Sequence, residues 1–224
     1  MAMPLLTYTE ENYLKTIYAL QYREDKGEVS VNEIAERMQT RPATVTDMMR
    51  KLSEKELIEY QKYKKLKLSG TGLKVALEIV RKHRLWETFL HDKLHFSWDE
   101  VHEVAEQLEH IQSQQLIDKL DEFLGHPKFD PHGDPIPDAK GEMPAASTLS
   151  LADAKLNKSY MIVAVKDTSV PFLHQLEKMN LAIGSTLSVV ERMPFDNSNL
   201  IKTSKDHQLM LSEKIAMNIL VKSA

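Results

Sequence analysis

The chain of 224 residues contains no cysteine. Disulfide bonds and thiolate metal sites are therefore excluded, and any bound metal ion has to be held by nitrogen and oxygen atoms. The chain also lacks an apolar run approaching the ~18 residues of a membrane helix, and its first ten residues lack the basic and apolar regions of a secretory signal. We therefore expect a soluble, cytoplasmic protein.

The sequence has few signs of catalysis. It contains no glycine-rich phosphate loop, no Gly-x-Ser-x-Gly elbow and no thiol nucleophile. The metalloprotease helix motif needs two histidines four residues apart with a glutamate between them, and the histidine and glutamate pairs of this chain have other spacings. We predict that the protein is not an enzyme, and a metalloenzyme with an accessory DNA-binding domain has no feature in its favour.

Charge of either sign is unevenly distributed, although the formal net charge is only −4. Residues 1–75 hold 13 Lys and Arg against 11 Asp and Glu, whereas residues 76–125 hold 5 against 11, with five of the nine histidines. The length is enough for two or three modules. A basic first module suits nucleic acid, and an acidic, histidine-rich second module suits divalent cations.

The first module has the pattern of a helix-turn-helix. We predict a first helix from an N-cap at Thr9 to about Leu20. Ser30, with Glu33 three residues later, predicts a capping box that begins a second helix, and a third begins at Pro42. Two short helices with a tight connection, the second polar and basic on its outer face, are typical of this motif.

An alternating segment at residues 59–69 predicts a β-hairpin wing with lysines at its tip. Lysines there suit phosphate contacts, although a solvated basic hairpin is the alternative interpretation. The residues that we predict to contact DNA are Thr40, Arg41, Pro42, Thr44, Thr46, Arg50, Lys62, Lys64 and Lys65.

The rest of the chain predicts helices and then strands. A long helix over 71–91 and two helices within 99–123 carry more apolar positions than they can bury alone, which favours a helical dimer. Five of the nine prolines lie in 126–148 and indicate a linker. Strands predicted over 160–165, 186–192, 199–203 and 208–221, with a helix over 171–180, fit a small β-barrel. The predicted domains are 1–72, 73–125, the linker 126–150 and 151–224.

Histidines and carboxylates cluster in the second module. His83 and Glu87 share a helix face, and a second group falls within an arc of roughly 100° on another predicted helix. That second group is His102, Glu106, Glu109 and His110. The alternative interpretation is that these residues form the solvent-exposed face of an ordinary amphipathic helix. A divalent ion, however, needs three or four ligands, and two helices could supply them.

These motifs together resemble those of the diphtheria toxin repressor and manganese transport regulator family of metal-activated bacterial repressors. The resemblance covers nearly the whole chain and is carried, in order, by Glu11 to Tyr18, Ala43 to Thr46, Arg81 to Glu87, Val101 to His110, and Gly133 to Pro137. It implies a mainly α chain with a C-terminal β domain: a winged helix-turn-helix, a helical metal-binding and dimerisation domain, and an SH3-like barrel.

The resemblance also implies two metal sites. His83, Glu87 and His102 match the family's ancillary site, and Asn12, Glu106, Glu109 and His110 match its regulatory site. At the Asn12 position iron-sensing members have Met and manganese-sensing members have Asp; at the Glu106 position they have Cys and Glu respectively. Ligands without sulfur favour Mn²⁺. The neutral amide of Asn12 leaves the choice between manganese and iron open.

Further ligands follow from the same resemblance. Asp130 and His132 lie where some manganese-responsive relatives have a Cys-x-His pair, and Asp167 or His174 is expected to approach from the barrel. We predict a repressor that binds a palindromic operator as a homodimer when activated by Mn²⁺, in preference, or by Fe²⁺, at two or more sites per protomer. The alternative is a metal-independent winged-helix regulator.

Overall fold

The computed structural model describes residues 6–24, 26–61, 64–145 and 148–224, and these form two compact units. The first unit contains residues up to 83 together with 107–113 and 137–142, and the second contains 84–106, 114–136 and 143–224. The chain is mainly helical, with an antiparallel sheet near its C-terminus, which confirms the predicted fold class. None of the helices in the described ranges is long and apolar enough to cross a membrane.

Three helices and the start of a fourth make up most of the first unit. They are α1 (Tyr8–Tyr18), α2 (Val31–Arg37), α3 (Pro42–Glu54) and α4 (Gly70–Leu94), which continues into the second unit. Thr7 caps α1 in a capping box with Glu10, so the prediction of Thr9 as the cap was wrong. Ser30 and Glu33 form the predicted capping box of α2.

The wing of the first unit is a short hairpin. Strand β1 (Ile58–Glu59) pairs antiparallel with β2 (Lys67–Leu68). A π-helical turn, Ala19–Arg23, follows α1 and buries Gln21. The Gln21 side chain accepts a hydrogen bond from the Leu68 backbone amide at 2.9 Å, so this amide anchors the wing to the end of the first helix.

The core of the first unit lies among these helices and the wing. Its fully buried side chains include Leu14, Ile17, Ile34, Val45, Met49 and Leu52, which lie at the helical spacings that the sequence predicts. Leu57 and Leu66, outside the helices, are buried with them. Burial of apolar surface stabilises such a core by roughly 25 cal/mol per Å². The outer face of α3, by contrast, remains polar and exposed, as DNA contact would require.

The helical part of the second unit continues α4 and adds α5 (Val101–Leu108) and α6 (Gln114–Phe123). Both short helices fall within the predicted region. Leu94, Leu116 and Phe123 nevertheless expose 52%, 40% and 64% of their surface. These three apolar side chains are thus partly exposed in the single chain.

The C-terminal part of the second unit is a six-stranded antiparallel sheet. Its strands are β3 (Leu149–Ser150), β4 (Ser159–Val165), β5 (Thr186–Arg192), β6 (Asn199–Thr203), β7 (Gln208–Leu211) and β8 (Ile219–Ser223). Their order in the sheet is β3-β8-β4-β5-β6-β7. The core is formed by side chains from the strands and from the helices that pack on them, among them Ile162, Leu176, Val189 and Ile201.

Two helices accompany this sheet. The first is α7 (Val170–Lys178), close to its predicted bounds. The second, α8 (Glu213–Asn218), was not predicted and divides the expected strand over 208–221 into β7 and β8. Ser212 explains the difference because its hydroxyl accepts from the Ile215 amide as an N-cap, a local signal that the apolar alternation concealed.

Candidate metal centre

Helix α1 contacts the segment that follows α5 through its acidic first turn. Glu11, only 4% exposed, lies 2.5 Å from Nδ1 of His110 and accepts a hydrogen bond from Gln112 at 2.6 Å. Tyr8 stacks on the His110 ring, with centroids 4.6 Å apart. A carboxylate that holds Nδ1 fixes the imidazole tautomer and directs Nε2 towards other partners, which is the usual arrangement of a metal-binding histidine.

A second contact of α1 involves Lys15 and the fully buried carboxylate of Glu109. The Lys15 Nζ lies 2.7 Å from one oxygen of Glu109 and 2.8 Å from the other, and Nδ1 of His83 lies 2.6 Å from the second oxygen. Burial opposes the ionisation of Glu109, but the hydrogen bond from His83 and the charge of Lys15 outweigh it and keep its pKa below the ordinary value. Glu109 is therefore anionic and can serve as a ligand.

Asn12 lies between these two contacts along α1. Its side-chain oxygen is buried and has no hydrogen-bond partner. A buried oxygen without a partner costs about 1–3 kcal/mol, and native structures seldom leave one unexplained. A cation is the simplest partner for an amide oxygen in this position, so Asn12, Glu109 and His110 fit the oxygen-and-nitrogen donor set of a divalent metal.

The predicted helical arc of four ligands was wrong in one respect. Helix α5 ends at Leu108, so Glu109 and His110 lie in the turn after it and are buried, at 0% and 7% exposure. His102 and Glu106 are on α5 itself, and their side chains are 48% and 34% exposed. The two halves of the group therefore face different surroundings, and they also belong to different units.

Glu87 is the centre of a second candidate site, in the second unit. One of its oxygens lies 3.2 Å from Nδ1 of His102 and 3.8 Å from Nδ1 of His132. Nε2 of His102 in turn lies 3.5 Å from Glu106. The structure therefore brings Glu87 and His102 together, both of them predicted ancillary ligands. His83 contacts Glu109 in the first unit, and its part in the ancillary site stays a prediction.

Asp130 and His132 complete this second site. Ligand atoms of Glu87, Asp130 and His132 all lie within 4.8 Å of one another, and the three residues are buried. His132 has its Nε2 2.9 Å from the backbone oxygen of Trp98, which leaves Nδ1 directed towards Glu87. One oxygen of Asp130 accepts from the backbone amides of His132 and Asp134, whereas the other is buried without a hydrogen-bond partner.

A tight turn holds this loop in place. Gly133 has a φ of +82°, and a Cβ atom there would come within 1.9 Å of the Val163 carbonyl oxygen, so no other residue fits. The guanidinium of Arg84 lies 3.6 Å from Asp130 and 3.9 Å from Asp134. Arg84 thus balances part of the negative charge of the site, a role that we did not predict.

Burial and neighbouring charges perturb both residues of this loop. Burial, with the charge of Glu87 added, raises the pKa of Asp130 to about 8. Burial also disfavours the charged form of His132, but the hydrogen bond and charge of Glu87 prevail and raise its pKa. The site therefore binds protons in the absence of a cation, and a bound cation would have to displace them.

Asp167 and His174, the ligands expected from the sheet, have other partners. The Asp167 side chain accepts from the Ser169 amide at 2.9 Å, just before α7. His174 lies 2.7 Å from Asp99. Within the part of the chain that the structure describes, neither residue joins the cluster around Glu87. Asp167 as a ligand stays a prediction.

Most of the residues predicted to contact DNA lie on the surface of the first unit. Arg41, Pro42, Thr44 and Arg50 are exposed, while Thr40 and Thr46 are half-buried. The Thr46 hydroxyl donates to the Pro42 carbonyl oxygen at 2.9 Å, so it would have to rotate to contact a base.

Charged residues of the recognition helix and wing complete this surface. Asp47 forms an ion pair with Arg50 at 3.4 Å, which moderates its repulsion from phosphate. On the wing, Lys64 and Lys65 are exposed, and Lys62 lies outside the described residues.

Sequence reasoning missed Glu11 and Lys15 as parts of the first site. A glutamate in the first turn of a helix is commonly explained by the helix dipole, and a lysine one turn later by its solvation. Their partners lie 99 and 94 residues away along the chain, so no local pattern identifies them. The burial of Glu11 and the contact of Lys15 with a buried carboxylate, rather than spacing, distinguish them.

Three family models match the chain in succession. Residues 5–66 match the "Iron dependent repressor, N-terminal DNA binding domain", residues 69–138 match the "Iron dependent repressor, metal binding and dimerisation domain", and residues 149–223 match the "FeoA domain". The order is the predicted one. The finer boundaries of the four predicted segments stay a prediction.

Individual relatives agree with these matches. The chain is 34% identical to the iron-dependent repressor IdeR of Mycobacterium leprae over 152 residues, which cover 67% of this chain and 64% of that protein. It is 34% identical to the HTH-type transcriptional regulator MntR of Geobacillus kaustophilus over 118 residues, which cover 53% of this chain and 82% of that protein.

A solved structure described as "Manganese-dependent transcriptional repressor complex with manganese" has a TM-score of 0.87 and 32% identity. It covers 96% of this chain, and all of that chain is covered in return. A DNA-binding domain, a metal-binding and dimerisation domain and a FeoA domain in this order define the class of metal-dependent repressors. The chain belongs to the diphtheria toxin repressor and manganese transport regulator family. At the level of this family, the prediction of a regulator rather than an enzyme is confirmed.

Proposed function

We propose that this protein is a metal-activated repressor that binds a palindromic DNA operator as a homodimer and controls manganese or iron homeostasis. The observation that carries the metal dependence is the buried, unpartnered oxygen of Asn12 on the first helix of the DNA-binding unit. Its neighbours Glu11 and Lys15 contact the ligand candidates His110 and Glu109, which supports the same role for the amide.

The regulatory site would comprise Asn12, Glu109 and His110 of the first unit. Glu106 remains a candidate ligand from the family resemblance. A bound ion would supply a positive charge that these oxygen and nitrogen ligands surround. Glu11 holds His110 in the tautomer that offers Nε2, and the anionic state of Glu109 supports the same role. Helix α1 would consequently be held more firmly against the segment after α5 when all of these ligands are engaged.

The ancillary site would be built around Glu87 with His102, Asp130 and His132. The short distances among these side chains and the buried Asp130 oxygen that accepts no hydrogen bond support it. His83 and Asp167 remain candidates from the family resemblance. Without cysteine, the donor set favours Mn²⁺, and the neutral amide of Asn12 keeps Fe²⁺ as the second candidate.

DNA binding would use the exposed face of α3 and the wing. In a two-fold dimer, the two recognition helices have to enter successive major grooves about 34 Å apart. A bound cation that restricts this spacing would increase the population of dimers whose recognition helices fit the operator, and operator affinity would rise. The exposed Leu94, Leu116 and Phe123 support a homodimer, because they leave an apolar surface on the helices of the dimerisation domain.

The test is operator binding by fluorescence anisotropy, with Mn²⁺, with Fe²⁺ under anaerobic conditions, and with chelator. We expect binding to require metal and the His110→Ala variant to lose the metal response. His126→Ala is the matched control, because His126 is an exposed histidine paired with Asp121. Equal operator affinity with and without metal would instead support the alternative, a metal-independent winged-helix regulator.

A further inference from the structure

The ammonium group of Lys15 contacts the carboxylate of Glu109, which is a candidate ligand of the regulatory metal. Its Nζ bridges both oxygens of Glu109, at 2.7 and 2.8 Å, while His83 takes a third position on that carboxylate. A carboxylate offers about four lone-pair directions, so three are already engaged. Glu109 has no exposed surface, and water therefore cannot replace a lost partner easily.

We propose that Lys15 is a built-in competitor of the regulatory metal, which holds Glu109 in the metal-free protein and thereby sets the metal concentration at which the repressor responds. This inference rests on the proposed function, since it concerns the affinity of the same site. A buried anion requires a positive partner, and the ammonium provides one when no metal is bound.

The geometry allows Lys15 to leave. Its side chain is 19% exposed, and a lysine carries its charge on a flexible stem of four carbons that can extend to solvent. Asn12 and Lys15 are three residues apart on α1, so they lie on neighbouring positions of one helix face. An ion at Asn12 and Glu109 would consequently meet the ammonium at close range, and the two positive charges would repel each other.

This competition has two opposite consequences. Lys15 stabilises the metal-free protein because it neutralises Glu109, and it weakens metal binding because it has to be displaced. It also joins α1 to the segment after α5 before any metal arrives. When metal binds, Glu109 exchanges its contact with Lys15 for a contact with the ion. The contact between the ion and Asn12 is additional, because the side-chain oxygen of Asn12 has no hydrogen-bond partner in the metal-free protein.

Lys55 provides a matched control within the same unit. Its Nζ lies 2.7 Å from Glu10, a carboxylate whose side chain is 6% exposed, and the Lys55 side chain is 33% exposed. The pair has the same charges, a similar distance and similar burial. Glu10 is a helix-capping residue rather than a candidate ligand. Loss of Lys55 should therefore destabilise the fold without changing metal affinity.

The experiment compares the wild type with Lys15→Met, Lys15→Arg and Lys55→Met. Mn²⁺ binding is measured by calorimetry and by the paramagnetic resonance signal of free Mn²⁺, and the thermal midpoint is measured in chelator. We expect Lys15→Met to bind Mn²⁺ at one site about tenfold more tightly, because a nearby unit charge is removed. Its metal-free midpoint should fall by about 5 °C or more.

Lys55→Met and Lys15→Arg distinguish competition with the metal from a general loss of stability. Lys55→Met should also lower the metal-free midpoint but keep Mn²⁺ affinity within about twofold of the wild type. Lys15→Arg keeps the charge and should bind Mn²⁺ no more tightly than the wild type. This arm remains informative if Lys15→Met does not fold, and tighter Mn²⁺ binding by Lys15→Arg would overturn the inference.

Failure of the inference differs from failure of the proposed function. If the wild type binds Mn²⁺ and Lys15→Met binds it equally or more weakly, competition by Lys15 is wrong while the metal site stands. If the wild type binds no Mn²⁺ but Lys15→Met does, the competitor is confirmed and metal activation of the natural protein is wrong. Absence of binding by both proteins overturns both.

Discussion

Replacing Asn12 with leucine should make the metal-free protein more stable and less responsive to metal. The side-chain oxygen of Asn12 is buried without a partner, and such an oxygen costs about 1–3 kcal/mol. Leucine has a similar size and no polar atom. We expect Asn12→Leu to raise the free energy of unfolding by about 1 kcal/mol, which is roughly 2–4 °C in midpoint for a chain of this length.

The same substitution removes a ligand. In the wild type, Mn²⁺ at about 100 times its dissociation constant should stabilise the native state by about 2.7 kcal/mol. Most of that gain should be lost in Asn12→Leu at the regulatory site, and operator binding should lose its metal response. Asn12→Asp is the opposite perturbation, because an anionic ligand strengthens metal binding whereas an unpaired buried carboxylate destabilises the metal-free protein.

Two assays together test this reasoning. Thermal unfolding in chelator reports the stability change, and hydrogen exchange of peptides from α1, with and without Mn²⁺, reports the metal response locally. A lower metal-free midpoint for Asn12→Leu, combined with undiminished protection of α1 by Mn²⁺, would refute the assignment of the unpartnered oxygen to a metal. The Leu and Asp variants should move both readouts in opposite directions, which a general packing defect would not do.

Three further predictions concern other parts of the chain. Ser30→Ala should lower the free energy of unfolding by about 1 kcal/mol in urea titrations, and the pKa of Glu33, about 2 because Ser30 donates to it, should rise towards its ordinary value by NMR. Since the pKa of Asp130 is raised to about 8 and that of His132 is also raised, both groups have to lose a proton before a metal binds. Mn²⁺ affinity at their site should therefore rise by about tenfold or more per pH unit between about pH 6 and 8 and then level off; a flat calorimetric profile contradicts this. Alanine at Lys64 and Lys65 together should reduce the slope of log affinity against log salt by about 2 without altering operator preference, and an unchanged slope means that the wing does not contact phosphate.

Local signals account for the agreement between prediction and structure. The capping box of Ser30, the position of Pro42 at the first turn of α3, and the apolar spacing of α1 each involve residues within one or two turns. Such signals act through hydrogen bonds and side-chain directions of the segment itself. Where two local signals competed, as with alternation over 208–221 and the cap at Ser212, the prediction was wrong.

By itself, the sequence determined the kind of chemistry available to this protein. Lack of cysteine restricts the ligands to nitrogen and oxygen, the motifs of α2, α3 and the wing predict a DNA-binding domain, and the acidic, histidine-rich segment supplies metal ligands. Family resemblance then divides those ligands into two sites. All of these properties depend on residue types and short spacings, which can be read along one chain.

Only the tertiary structure decided which charges face one another. It ends α5 before Glu109, buries that carboxylate, and places Lys15 against it from 94 residues away. It also leaves the Asn12 side-chain oxygen buried without a hydrogen-bond partner, which no pattern along the chain indicates. Burial and contact across long separations arise from packing, and the energetic cost of an unpaired polar atom exists only once water has been excluded.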